Sequence, residues 1–275
     1  MDKRRLDRKE RGMKPIKISQ SLMKALSEYV QGYECGVAFR ELYINKTISK
    51  TPSDAMKLGI YFEYMATGAL PRSGEAPQAE YVYKGKPNER MATDYERATA
   101  SAEYFKSLVK FWDIKILHTN FTMETETMKG IADLVVEWNG KPAIIDLKYT
   151  GLIDDKWSEM GWHKDFVQEK DNLMVQGVMY KMLAKKVLGI DDIDFYFWVF
   201  DSRNPLNVRI IHENVEQGRF ITHKEAVDSA EKYLAYHIKQ NDWTPRPELL
   251  RCANCPLKPN CEHAVDYPSI EEVYY

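Results

Sequence analysis

Nowhere in the chain do eighteen apolar residues run together, so no segment reads as a transmembrane helix. The opening stretch, MDKRRLDRKERGMKP, is charged and has no apolar centre, which excludes a secretory signal. Residues 1–18 read instead as a basic, flexible tail. Charge of one sign is not in excess: 39 Lys and Arg stand against 41 Asp and Glu, a net charge of −2. Overall charge therefore announces no nucleic-acid partner, and any basic groove would have to be local. Cysteine is scarce, with four among 275 residues. Without a signal these belong in a reducing cytoplasm, which argues against structural disulfides. No internal repeat and no low-complexity segment interrupts the chain.

What is present is a 44% hydrophobic chain, enough for one large domain or a core with a smaller appendage. Periodicity and caps predict helices over 19–45, 52–67, 93–112, 170–188 and 224–240. Pro52 and Ser53 suit the start of the second helix. PRSGEAPQAE, residues 71–80, reads as a connecting loop. Strands are expected within 115–150, and DFYFWVFD, residues 194–201, reads as a buried strand. Strands enclosed by helices predict an α/β layer architecture with a central sheet. The expected organisation is a core over 19–240, including an N-terminal helical region, and a Cys-rich tail over 241–275.

The densest signal is GIADLVVEWNGKPAIIDLKYTG, residues 130–151. Asn-Gly between two alternating apolar runs predicts a tight hairpin. If Trp138 pairs with Lys141, continuing the ladder places Asp133 opposite Asp146 and Ile131 opposite Lys148. Asp133, Asp146 and Lys148 then share one face, and Ala132, Leu134, Val136, Ile145 and Leu147 share the other. Like charges opposite one another on a sheet repel. Two carboxylates held together in apolar surroundings share a proton or bind a cation. Oxygen ligands with water suit Mg²⁺ or Mn²⁺, and the neighbouring lysine aims a positive charge at the same place. Such a set is equipped for metal-assisted phosphodiester hydrolysis. A single strand-end aspartate facing solvent would carry no such meaning; the cross-strand match with the lysine does.

The run GIADLVV…AIIDLKYTG resembles the PD-(D/E)xK nuclease superfamily, with Asp133 in the first acidic place and Asp146-Leu147-Lys148 in the second. The resemblance implies a restriction-endonuclease-like core with a mixed sheet flanked by helices. NLMVQGVMYKML sets Gln176 and Tyr180 four apart on one helical face. That spacing is similar to the Q-x-x-x-Y motif of the superfamily's RecB-like branch, where it positions DNA or the catalytic lysine. In KLGIYFEYMATG, Glu63 occupies the place from which a preceding helix contributes a metal ligand, although the RecB-like branch more often has His there. The resemblance thus implies a divalent metal held by Glu63, Asp133, Asp146 and the carbonyl of Leu147.

Three cysteines lie in CANCPLKPNC, at Cys252, Cys255 and Cys261, and the fourth is Cys35. This pattern resembles the iron–sulfur nucleases of the RecB-like branch, among them AddB-type nuclease domains and CRISPR adaptation exonucleases. The resemblance implies a [4Fe–4S] cluster on the four thiolates, tying the two ends of the chain together. Four thiolates also fit a zinc site, though such sites more often use two C-x-x-C pairs. The function implied is a Mg²⁺- or Mn²⁺-dependent DNA exonuclease acting on single strands or DNA ends, in repair, recombination or phage and CRISPR DNA processing. Its implied partners are DNA and a helicase, a recombinase or a CRISPR adaptation protein, with no membrane, and its implied location is cytoplasmic. A structure-specific endonuclease on the same core and a non-catalytic DNA-binding subunit stay open. The six Trp and seventeen Tyr could stack on bases, although aromatic residues more often fill cores.

Overall fold

Asn139 and Gly140 both take positive φ, 52° and 73°, the conformation that a two-residue hairpin turn demands of both central residues. The turn joins β4 (Lys129–Trp138) to β5 (Lys141–Thr150) and pairs Trp138 with Lys141. The structure is a computed structural model and describes residues 16–158, 161–163, 171–214 and 217–266, without the side chains of 171–174 and 217. In chain order the preceding elements are α1 (Gln20–Val30), α2 (Gly36–Phe39) with a π-helical turn over Arg40–Ile44, and α3 (Asp54–Thr67). Next come β1 (Tyr81–Val82), β2 (Arg90–Met91), α4 (Thr93–Phe111) and β3 (Lys115–Glu124). After the hairpin follow α5 (Asp171–Leu188), β6 (Asp194–Asp201), β7 (Val208–His212), α6 (Gln217–Gln240) and α7 (Leu249–Ala253), then a 3₁₀ turn over Lys258–Asn260.

Five strands form one sheet in the order β3-β4-β5-β6-β7, and β1 and β2 form a separate ribbon. All neighbours are antiparallel except β5 and β6, which are parallel. A parallel pair needs a long crossover, and α5 lies within it. On one sheet face, Leu134, Val136, Ile145, Leu147, Trp198 and Phe200 pack with Tyr61 and Phe62 of α3 and Ala98, Ala102 and Phe105 of α4. Each large apolar side chain taken fully out of water contributes about 1.5–3 kcal/mol. The alternate residues Val135, Ile144, Phe195 and Phe197 are buried as well, which is why β6 reads as an unbroken apolar run. The ring of Tyr180 on α5 stacks on Phe195 at 5.7 Å.

The chain divides into two units: residues 52–227 hold the sheet, and the other unit combines the residues before Pro52 with those after Val227. The helices over 20–44 thus fall with the chain's C-terminal part, whereas the sequence reading grouped them with the core. In that unit Ile18, Leu22, Leu26, Tyr29, Phe39, Leu234 and Trp243 form a second apolar cluster. Ile18 is 1% exposed and Ile16 packs against the same cluster, so residues 16–18 are not part of a free tail. The remainder of the expected tail lies outside the described residues.

The helix expected over 19–45 is two. Ser19 caps the first through its hydroxyl, which accepts the Leu22 N–H at 3.3 Å. The second starts at Gly36, whose N–H donates to the carbonyl of Thr244 at 3.0 Å. A Cβ there would lie 2.7 Å from that oxygen, so only glycine permits the approach. The strand β7 and the early start of α6 were not anticipated. No helix among the described residues is long and apolar enough to cross a membrane.

Candidate active site

The β4–β5 ladder keeps the expected register from Trp138↔Lys141 to Leu134↔Ile145 and stops there. Asp133 and Asp146 are therefore not a backbone pair, nor are Ile131 and Lys148, contrary to the extended ladder. The reason is chemical. Asp133 turns its carboxylate into the gap and accepts the N–H of Leu147 at 2.7 Å, a bond that replaces the missing ladder contact. Meanwhile β4 stays paired with β3, through Ala132↔Phe121 and Ile131↔Thr122.

Asp146 is 5% exposed, and both its oxygens are engaged. Its Oδ2 lies 2.5 Å from the ammonium of Lys148. Its Oδ1 accepts the side-chain amide of Gln176 at 2.5 Å. One turn along α5, the hydroxyl of Tyr180 donates to the carbonyl of Ile131 at 2.5 Å. Gln176 and Tyr180 thus grip β5 and β4 from one helical face, at the point where the strands part. Gly130 makes room for this: a Cβ there would lie 3.1 Å from Cε1 of Tyr180 and 2.9 Å from Cδ1 of Leu183.

The acids feel one another's charge. Burial, then the charges of Asp146 and Glu63, push Asp133 well above the usual carboxylate range. Burial, then Asp146, push Glu63 upward too, with Lys148 and Arg72 opposing. For Lys148, burial works against the ammonium, but the Asp146 and Asp133 carboxylates outweigh it and raise its pKa. Burial and the same two aspartates hold the Tyr180 phenol well above its ordinary value. Glu63, Asp133, Asp146 and Lys148 therefore act on one another directly. Arg72 joins them from the loop after α3, which the sequence reading took for a plain connector. Nothing in its local sequence marks it. The loop is held where Asn120 of β3 donates its side-chain amide to the carbonyl of Leu70 at 3.0 Å.

All four cysteines are half-buried free thiols in the unit that combines the two chain ends. Arg246 donates its backbone N–H to Cys35 Sγ at 3.4 Å, and its guanidinium binds the carbonyls of Tyr29 and Glu34. Tight turns shape the trio, with Cys255 N–H on the Cys252 carbonyl at 3.1 Å and Lys258 N–H on the Cys255 carbonyl at 3.0 Å. Cys35, Cys252, Cys255 and Cys261 line one cavity of about 380 Å³, with Lys50, Arg251 and Lys258 among its other walls. Burial, followed by the charges of Cys261, Cys35 and Cys252 against an opposing Leu257 N–H, raises the Cys255 thiol. Among the described residues, however, no three His, Cys, Asp or Glu side chains come together as a group that could hold a metal ion.

A sequence model of the PD-(D/E)XK nuclease superfamily matches residues 41–262. Among solved structures, a candidate exonuclease from Eubacterium rectale is similar over 100% of this chain and 96% of its own, at 17% identity and a TM-score of 0.58. A phage-related exonuclease from Haemophilus somnus 129PT is similar over 83% of this chain and 97% of its own, at 13% identity and a TM-score of 0.39. No curated protein matches.

Proposed function

Because this chain belongs to the PD-(D/E)XK nuclease superfamily, we propose that it is a metal-dependent DNA nuclease of the RecB-like branch, an exonuclease working on single strands or DNA ends. The observation that carries this reading is the parting of β4 and β5 around Asp133, Asp146 and Lys148, with Gln176 fixed on Asp146. The donor set is chemically suited to a hard divalent cation. Glu63, Asp133 and Asp146 repel one another through space without yet closing into one ligand group, and burial together with that repulsion pushes Glu63 and Asp133 toward protonation, which a bound cation would relieve. Glu63, Asp133, Asp146 and the Leu147 carbonyl would hold Mg²⁺ or Mn²⁺. When bound, such a cation supplies Lewis acidity and a more acidic water.

The chain's own residues do the rest. Lys148 keeps its proton beside Asp146 and presents a fixed positive charge to the negative charge developing on a phosphoryl group. Gln176 sets the rotamer of Asp146, and Tyr180 holds the end of β4 through Ile131. The exonuclease part of the proposal draws support from the Eubacterium rectale protein, which is described as a candidate exonuclease and shares the fold over nearly its whole length.

The cysteines support a second part of the proposal, a [4Fe–4S] cluster on Cys35, Cys252, Cys255 and Cys261. Free thiols around one cavity are the right ligands, and about 380 Å³ is far more than the roughly 30 Å³ one water occupies. A structural zinc ion is the alternative that metal analysis separates.

Purified protein with Mg²⁺ or Mn²⁺ should shorten end-labelled linear single strands and leave circular ones whole. Cutting of circles would make it an endonuclease. Binding without cutting under either metal would make it a non-catalytic subunit. Cleavage persisting in Asp146→Ala would remove the site assignment.

A further inference from the structure

After β5, the described residues 151–158 and 161–163 form a small pedestal. The N–H groups of Asp155 and Trp162 both return to the carbonyl of Leu152, at 3.2 and 3.0 Å. Gly161 lies so close to Asp155 that a Cβ would collide with its carbonyl. Arg209 of β7 pins the pedestal from beneath. Its guanidinium binds the carbonyl of Ile153 at 2.6 Å, the carbonyl of Trp162, and the carboxylate of Asp154 at 2.9 Å. Ile153 is fully buried, and Trp162 packs its ring 5.3 Å from Phe197. The ammonium of Lys148 lies 5.9 Å from that same Phe197 ring. The pedestal therefore rests on the ring that flanks the candidate catalytic lysine.

This pinned support exposes Trp157 and Lys156. Trp157 is 86% exposed, the most exposed large apolar side chain among the described residues. Its backbone is held by an Asx turn, with the N–H groups of Trp157 and Ser158 on Oδ1 of Asp155 at 2.8 and 3.1 Å. The ammonium of Lys156 lies 4.9 Å from the Trp157 ring centroid. An indole held in water by these hydrogen bonds, with a cation over one face, has the two chemistries that bind single-stranded nucleic acid: a second flat face for a base and a charge for the backbone.

Resting on the nuclease reading above, we propose that Trp157 is a nucleobase-stacking platform that seats single-stranded DNA next to Lys148, with Lys156 on the adjoining phosphate. Duplex DNA keeps its bases stacked on one another and gains little from this platform.

The test uses full-length protein and a fluorescent single-stranded oligothymidine, with binding read by anisotropy in EDTA and turnover read in Mn²⁺. Trp157→Ala should weaken binding and raise KM by roughly tenfold, while kcat stays within about twofold. Trp157→Phe should restore most of the affinity. Lys156→Ala should reduce the dependence of binding on salt. Blunt duplex binding should change little in either variant. Unchanged affinity and KM in Trp157→Ala, with wild-type cleavage intact, would overturn the platform and leave the nuclease reading standing. A loss of self-association in Trp157→Ala without a change in DNA binding would assign the indole to a second copy of the chain instead. Wild-type protein that neither binds nor cuts single strands would sink both readings.

Discussion

Gln176 satisfies a buried carboxylate oxygen that no other side chain reaches among the bonds described for Asp146. Truncating it leaves Asp146 with one oxygen on Lys148 and the other without its amide. Supporting partners of metal ligands typically contribute 10- to 100-fold to affinity or activity. Gln176→Ala should accordingly raise the Mg²⁺ concentration needed for half-maximal cleavage by about that factor, which a metal titration reads. A merely structural role would shift the melting curve and leave the metal titration where it was. Glu213 makes a separate prediction, because it is 2% exposed and neither of its carboxyl oxygens has a hydrogen-bond partner among the described residues. Burial pushes it from the ordinary 4.5 up to about 8, with Lys181 opposing. The folded state therefore binds this proton more tightly than the unfolded chain. Its contribution to stability is full below pH 4.5 and is lost as pH rises toward about 8. Glu213→Gln should match wild type at pH 4 and exceed it by a few kcal/mol at about pH 8, measured by urea denaturation across that range.

At the scale of elements, α5 is shaped by two strands at once. It carries Gln176 and Tyr180 toward the parted ends of β5 and β4, and beside them Gly177 faces Glu213, just beyond β7. A Cβ on Gly177 would collide with the Glu213 carboxyl. In an open helix Gly→Ala stabilises by about 1 kcal/mol. Here Gly177→Ala should destabilise by about 1–3 kcal/mol, as overpacking does. In the Glu213→Ala background the same change should become neutral or stabilising. Urea midpoints of the four proteins in this cycle check it; an additive cycle would mean that the helix and the Glu213 carboxyl do not meet.

For the molecule as a whole, the unit made from both chain ends has little regular structure among its described residues after Trp243 beyond α7 and one 3₁₀ turn. Its apolar cluster centres on Tyr29, Phe39 and Trp243, and its last turns are shaped around the cysteines. If a cluster binds there, much of its binding free energy is folding free energy for this unit. Cys35→Ala should then cost iron and sulfide in anaerobically purified protein and speed proteolysis between Arg246 and Ala264. Activity should fall only as far as folding does. Stoichiometric zinc without iron or sulfide in wild-type protein would overturn the cluster.

The elements most legible in the chain were those specified by neighbours in sequence. Asn139-Gly140 determined its own turn, since few residues other than Gly, Asn and Asp accept two successive positive φ values, and the turn determined the register as far as Leu134↔Ile145. DFYFWVFD was recognisable as β6 because a strand covered on both faces has no polar side to show. The grouping of Asp133, Asp146 and Lys148 near one point followed from the same period-two arithmetic. Tertiary structure alone decided where the ladder stops, because that depends on Asp133 preferring the Leu147 N–H to a place opposite another carboxylate. It also decided the break between α1 and α2, which answers to Thr244, more than two hundred residues downstream of Gly36. Arg72 and Trp157 gain their meaning only from what folding sets beside them: the carboxylates for one, and for the other a pedestal pinned by Arg209. Local sequence specifies conformations and alternation, whereas long-range charge and contact specify which of those alternating residues meet.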